Sequence, residues 1–350
     1  MDNPRLAQRG RSAIDFQAAI GVAAMRLMGE AERELATLGV TAASLPEDLD
    51  QRHQAVSSAI GGSGSFKAQQ LLSEWRAKAH ARVAAEAFEE VRDRIEPVLL
   101  ALDDGPSTLR IDPGIVPPAY WSDFEFHRTA GGWDASDHNG YIHGEILHKL
   151  MLGRMFPGDI FAQRRDVARS LPRRDYGAVL EMGASSGHFT MALAETLPEA
   201  DITAIDLSPR MLEQARRSGN EAGRHWTLLV RAAEATGFDD GTFDLVASFN
   251  MLHEMPPPAI QAAFREAFRV LAPGGDMLMS DVPRFSELDR LTAWRFDHIA
   301  KWGGEPFWRA SASMDLVAAA TEAGFVDVRG AGIGAAPTRH PYVVFGRKPA

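Results

Sequence analysis

Apolar residues recur at every fourth position between 71 and 99. Trp75, Ala79, Val83, Ala87, Val91 and Ile95 form one line, and Leu72, Phe88 and Leu99 widen it. This spacing keeps side chains on one face and predicts an amphipathic helix. A second helical pattern covers 12–38, and the flexible GGSGS at 61–65 separates the two. From about residue 175 the rhythm changes. Short apolar runs at 177–182, 202–206, 226–231, 243–249 and 276–281 alternate with helical patterns. That alternation predicts a parallel sheet with helices on both faces.

Several element ends are also legible. The helix after the first run carries Phe189, Leu193 and Leu197 on one face. Ser208 and Pro209 suit the N-cap and first position of the next helix. Ile260, Phe264, Phe268 and Leu271 mark a helix that stops at Pro273-Gly274-Gly275. Two strand-like runs, FVDVRGA (325–331) and YVVFGRK (342–348), close the chain with about ten residues between them. That gap is too short for the crossover helix of a parallel pair, so the last strand is expected to be antiparallel.

The run VLEMGASSGH (179–188) is a buried strand entering a small-residue turn. Such a turn at a helix N-terminus offers free N–H groups and close backbone approach, which suits a nucleotide-like cofactor. Asp206, at the end of the second run, lies 23 residues beyond Gly183 and is placed to accept hydrogen bonds from ribose hydroxyls. A nicotinamide dinucleotide wants G-x-G-x-x-G, but Ser185 and His188 occupy two of the glycine positions.

Composition narrows the class. The 350 residues are 45% hydrophobic and 24% charged with a net charge of −10, which suits a globular protein and argues against a phosphate-backbone binder. No cysteine is present, so thiolate metal sites and a catalytic thiol are excluded. The start lacks the apolar stretch of a signal peptide, and no run reaches the ~18 apolar residues of a membrane span. A cytoplasmic protein without a membrane or nucleic-acid partner is the expectation.

The pattern E-x-G-x-S-x-G at 181–187 resembles the first motif of class I S-adenosylmethionine-dependent methyltransferases. The resemblance continues through Asp206, the loop 231–238 (RAAEATGF), Asn250-Met-Leu-His-Glu254, the turn RVLAPGG (269–275) and the antiparallel last strand, and so covers about 175–350. It implies an α/β fold: a seven-stranded Rossmann-like sheet, mostly parallel with the last strand antiparallel, preceded by an α-helical domain. It also implies S-adenosylmethionine as cofactor. Glu181, Gly183 and Asn250 would lie by the methionine part, with Gly187 allowing close approach. Asp206 would hold the ribose, Met211 would be an apolar contact, and Ala233 would offer a backbone N–H to adenine. Ser185 and Ala232 depart from the family pattern, where glycine and an acid are common.

The expected division is 1–170, a helical cap, dimerisation and substrate-lid region, and 171–350, the cofactor-binding domain. The reaction expected is methyl transfer to a small-molecule acceptor of specialised metabolism, with O-methylation favoured over C- or N-methylation. The alternatives are a non-catalytic cofactor-binding module and a nicotinamide-dependent reductase. His253, Glu254 and Asp281 are the catalytic candidates, since a histidine or carboxylate near the methyl suits a hydroxyl acceptor. Residues 105–144 are rich in Gly, Pro, aromatic residues and His, as befits an ordered functional loop. His127, Trp133, His138, Tyr141 and His143 are its candidate substrate contacts. His138, His143 and His148 are spaced by five, which on an α-helix does not put them on one face. With Asp134, Asp137 and Glu145 they match no zinc pattern, so no metal is expected. The two N-terminal apolar stripes could pair between chains, giving a homodimer.

Overall fold

Eight strands form one sheet in the computed structural model, which describes residues 5–156 and 158–350. They are β1 Thr108–Arg110, β2 Ala178–Met182, β3 Asp201–Asp206, β4 Thr227–Val230, β5 Phe243–Phe249, β6 Leu271–Asp281, β7 Val326–Gly332 and β8 Tyr342–Arg347. Their order is β1-β4-β3-β2-β5-β6-β8-β7. The chain builds outward from β2 in one direction through β3 and β4, then returns and builds the other way through β5 and β6. The tips of β2 and β5 are therefore a topological switch point, the place where a crevice opens in such sheets. β8 lies antiparallel to both β6 and β7, as the short final connection requires.

All seven expected strands form. The eighth, β1, comes from the loop before the expected division at 170 and pairs in parallel with β4. At three residues it is too short to show a periodicity. A second difference lies at 271–275. The helix ends at Val270, and Leu271 through Gly275 run as strand, with Leu271 opposite Phe243. Gly274, at φ +76°, and a register irregularity between Phe243 and Leu245 absorb the bend.

The N-terminal region holds α1 Gln8–Thr37, α2 Leu49–Ile60, α3 Gly64–Glu89 and α4 Arg92–Ala101. α2 escapes the hydropathy pattern because it is mostly polar. The Asp48 cap and the burial of Val56 and Ile60 fix it instead. The GGSGS break supplies the N-cap of α3, where the Ser63 hydroxyl accepts the N–H of Phe66. The stripe expected over 71–99 divides between α3 and α4, because Val91 leaves helical geometry at φ −126°. A strict spacing of four also drifts around a 3.6-residue helix, so Ala87 and Phe88 are buried while Trp75 is exposed. The stripes of α1 and α3 pack on each other within the chain: Ile14 and Ala18 share a core with Ala84, Ala87 and Phe88.

Among the described residues, five more α-helices of eight residues or longer follow: α5 Ala162–Arg169, α6 His188–Thr196, α7 Pro209–Glu221, α8 Pro257–Val270 and α9 Arg290–Gly303. Trp294 of α9 joins Met28, Leu35 and Phe66 in a core that ties the N-terminal helices to the C-terminal half. Residues Ile142–Leu152 form a π-helical stretch, wider than an α-helix. Among the described residues no helix is long and apolar enough to cross a membrane.

Candidate functional site

The turn after β2 is held by backbone geometry that few side chains permit. Gly183 has φ +75° and Gly187 φ +84°, and Ser185 between them is also left-handed at 48°. A Cβ on Gly183 would stand 2.7 Å from Met251 Cγ, so the loop after β5 lies directly against the turn. A Cβ on Gly187 would stand 3.0 Å from Cα and Cβ of Ala215 in α7. The close approach at Gly187 is thus between two protein elements.

Asp206 clamps this turn to the end of β3. Its carboxylate accepts the N–H of Ser185 at 2.8 Å and of Ser208 at 2.9 Å. Burial lifts its carboxyl to about 6, with Asp134 adding to the rise and the two N–H groups opposing it. Glu181 is fully buried, and neither of its oxygens has a hydrogen-bond partner. Burial pushes it up to about 8. The Thr190 hydroxyl pulls the other way without completing a hydrogen bond. Asn250 stands across the switch point at φ 57°, with its Oδ1 also buried and unpartnered. Arg164 of α5 lies over the Phe249 ring at 4.7 Å. Burial lowers its guanidinium to about 10, against the pull of Glu181. Two unpaired acceptors and an acid at the switch point suit a ligand that carries positive charge and donors.

The loop before the sheet domain folds over this edge. Tyr120 donates to Glu234 at 2.9 Å, and the Ser208 hydroxyl donates to Asp134 at 2.5 Å. Behind these ties runs a wall of rings. Trp133 stands edge-on to His127 (centroids 5.1 Å) and to His143 (5.0 Å). His143 meets His148 at 4.4 Å, and His148 meets His188 at 5.8 Å. Burial drives His143, His148 and His188 well below the ordinary histidine range, so they are neutral near pH 7. The spacing of five expected to part His143 from His148 brings them together, because the segment is π-helical.

At the end of β5, His253 Nδ1 lies 3.0 Å from Asp281 Oδ1 at the tip of β6. Asp281 also accepts the N–H groups of Leu252 and Val282 at 2.7 Å, which fixes it. His253 Nε2 lies 3.4 Å from Glu254 Oε1. Burial opposes charge on His253, but Asp281 and then Glu254 prevail and raise it well above the usual range. Glu254 in turn lies 3.3 Å from His127 Nε2, and His127 Nδ1 lies 2.7 Å from Glu305. Burial works against the His127 imidazolium, yet Glu305 and Glu254 hold it up at about 10.

The predicted residues therefore divide. Glu181, Gly183, Asp206 and Asn250 meet at the switch point, and His253, Glu254, Asp281, His127, Trp133 and His143 form a connected group beside it. Ala233, buried in the loop after β4, and Met211, 1% exposed in the first turn of α7, sit on the Asp206 side. His138 and Tyr141 lie elsewhere. His138 pairs with Glu96 at 2.8 Å, and both rings pack on Phe88 in the helical core. Asp134 and Asp137 go to the N-terminus of α7 and to Arg210, and Glu145 pairs with Lys149. Arg164, His188 and Glu305 join the group without a sequence cue beyond the position of His188 at the end of the turn.

Residues 179–275 match the family model described as a methyltransferase domain. The chain is 30% identical over 142 residues to demethylmenaquinone methyltransferase of Thermus thermophilus, covering 40% of this chain and 60% of that protein. It is 32% identical over 139 residues to malonyl-[acyl-carrier protein] O-methyltransferase of Legionella pneumophila, covering 39% and 46%. It is 31% identical over 124 residues to ubiquinone biosynthesis O-methyltransferase of Xanthomonas oryzae, covering 35% and 50%. The chain thus spans about half the length of the curated relatives it matches. Among solved structures it is similar to phosphoethanolamine N-methyltransferase 2 of Haemonchus contortus, a complex with S-adenosyl-L-methionine, at a TM-score of 0.47 and 16% identity, covering 68% and 61%.

Proposed function

Because the chain carries a class I S-adenosylmethionine-dependent methyltransferase domain behind a helical extension, we propose that it transfers the cofactor's methyl group to an oxygen of a small planar or apolar acceptor. One juxtaposition supports this most directly. The unpaired Glu181 carboxylate and the His253–Asp281 pair stand at the tips of the neighbouring strands β2, β5 and β6.

The residues fit the cofactor. Glu181 and Asn250 Oδ1 are buried acceptors without partners, which a cationic, amine-bearing ligand satisfies. Asp206 keeps lone pairs for the ribose hydroxyls beyond its two backbone donors, and Ala233 lies toward adenine. S-adenosylmethionine, when bound, supplies a methyl group already activated on a cationic sulfur. This chain's own work is then to orient the acceptor, exclude water and manage a proton.

Trp133, His143 and His148 offer a ring-lined, neutral wall against which a planar acceptor can lie. His253 is held by Asp281 through Nδ1, so Nε2, at 3.4 Å from Glu254 Oε1, is the ring atom that turns to an acceptor oxygen. While protonated, Nε2 donates to the acceptor oxygen and holds negative charge there. Because Asp281 and Glu254 keep His253 protonated, the acceptor meets it as the oxyanion, its own proton having passed to solvent before attack. Two of the relatives are named O-methyltransferases, which also favours oxygen. Residues 1–170 act as cap and lid in this reading. Phe16 and Trp75, left exposed by the α1–α3 packing, are what a homodimer would cover, and a monomer in light scattering removes that element.

The test is a calorimetric titration with S-adenosylhomocysteine, followed by labelled methyl transfer to matched phenolic and amine acceptors. One site per chain and labelled phenol ethers are expected. No heat from the folded protein overturns the cofactor assignment, and transfer to amines alone overturns the oxygen assignment.

A further inference from the structure

We propose that His127, Glu254 and Glu305 form a binding site for a divalent transition-metal ion such as Mn²⁺ or Zn²⁺. Each side chain offers one ligand atom, and these atoms all lie within 4.8 Å of one another. The three come from separate places: the loop before the sheet domain, the turn after β5, and the segment after α9. No local periodicity brings them together.

The backbone is arranged to deliver His127. It has φ 52° and ψ 24°, and Arg128 has φ 55°. Two successive non-glycine residues in the left-handed region are strained, and such strain persists where the surroundings impose it. Here the surroundings are the end of α9. The His127 N–H donates to the Gly304 carbonyl at 3.1 Å, and Arg128 Nε donates to that of Trp302 at 2.9 Å. A Cβ on Gly304 would stand 2.6 Å from Arg128 Cγ. This stitching brings the His127 ring to Glu305, the next residue along.

The second carboxylate oxygens of Glu254 and Glu305 are buried and have no hydrogen-bond partner. The neighbouring acid, Asp281, is already matched by His253 and by Arg284 at 3.7 Å. Glu254 and Glu305 thus bring two charges and two unfilled oxygens to one imidazole, and a divalent ion that displaces the imidazolium proton to solvent answers both. The His127 side chain keeps 29% of its accessible surface, so the ring is not sealed into the core. One imidazole with two carboxylates is a donor set taken by zinc, manganese or iron, and three protein ligands leave an open position. Ion binding stands independently of the acceptor. Only its role rests on the reading above: an ion beside His253 would add positive charge near the acceptor oxygen.

The experiment uses the full chain after chelator treatment and dialysis. Mn²⁺ binding is read from loss of the free-ion paramagnetic resonance signal, with Zn²⁺ as competitor, and S-adenosylhomocysteine binding is measured on the same samples. The wild type should take up one ion per chain. Glu305→Gln and His127→Gln should each weaken it at least ~10-fold, with S-adenosylhomocysteine affinity little changed and a lower melting temperature from the broken ion pair. Absence of stoichiometric binding of either ion, or equal binding by the folded variants, overturns the site. If one variant fails to fold, the other and Glu254→Gln decide by the same criterion. Loss of S-adenosylhomocysteine binding with ion uptake retained would instead count against the cofactor assignment alone.

Discussion

The Asp206 carboxylate accepts the Ser185 N–H at 2.8 Å, and so joins the tip of β3 to the turn that follows β2. The residue assigned to the ribose is thereby also a structural clamp. Both carboxylate oxygens are engaged, the second by Ser208, and burial raises the cost of leaving those N–H groups unpaired.

Asp206→Ala should therefore weaken S-adenosylhomocysteine binding by roughly 1–3 kcal/mol, the scale of losing a charged hydrogen-bond acceptor. It should also lower the melting temperature without ligand. Calorimetry and a thermal melt on the same preparation check both. A lowered melting temperature with unchanged affinity would place the ribose elsewhere.

Glu181 gives a pH dependence with a definite sign. Its folded carboxyl is raised to about 8 by burial, with Asp206 adding and Thr190 and Arg164 opposing. A raised acid contributes stability that is present below the unfolded value, near 4.5, and is lost as pH climbs through 8. A cationic ligand favours the charged form, so binding should release a proton near pH 7 and tighten as pH rises, by up to ~tenfold per unit below 8. Titrations in buffers of different ionisation enthalpy count the proton. Glu181→Gln should abolish both the release and the slope.

Gly187→Ala separates packing from ligand approach. The added methyl would meet Ala215 backbone at 3.0 Å from a left-handed residue, so a loss of roughly 1–3 kcal/mol in stability is expected. Affinity for S-adenosylhomocysteine should stay within a few-fold in the folded fraction. A collapse in affinity at unchanged melting temperature would return this glycine to the ligand.

His253→Gln should lower the rate of methyl transfer by about 10²–10⁴, the range of general acid–base assistance. Cofactor affinity should hardly change, because the Asp281 hydrogen bonds to Leu252 and Val282 keep the loop in place. A rate within threefold of wild type would remove His253 from the chemistry.

The sequence by itself determined the alternation of strand and helix from 175 onward, the turn at 183–187, the Ser208 cap and the antiparallel last strand. These follow from local rules: side-chain period, glycine's access to positive φ, a capping hydroxyl, and a connection too short to cross over. It did not determine β1 or α2, whose three and twelve residues are fixed by an edge partner and a cap rather than by an apolar pattern. The tertiary structure alone decided that His143 and His148 touch, since the helix type on which their spacing depends was not written in the spacing. It alone brought Glu305 to His127 and took His138 and Tyr141 into the helical core. A histidine reads the same in a chain whether it packs on Phe88 or faces Glu254, because what distinguishes the two is which distant segment folds against it.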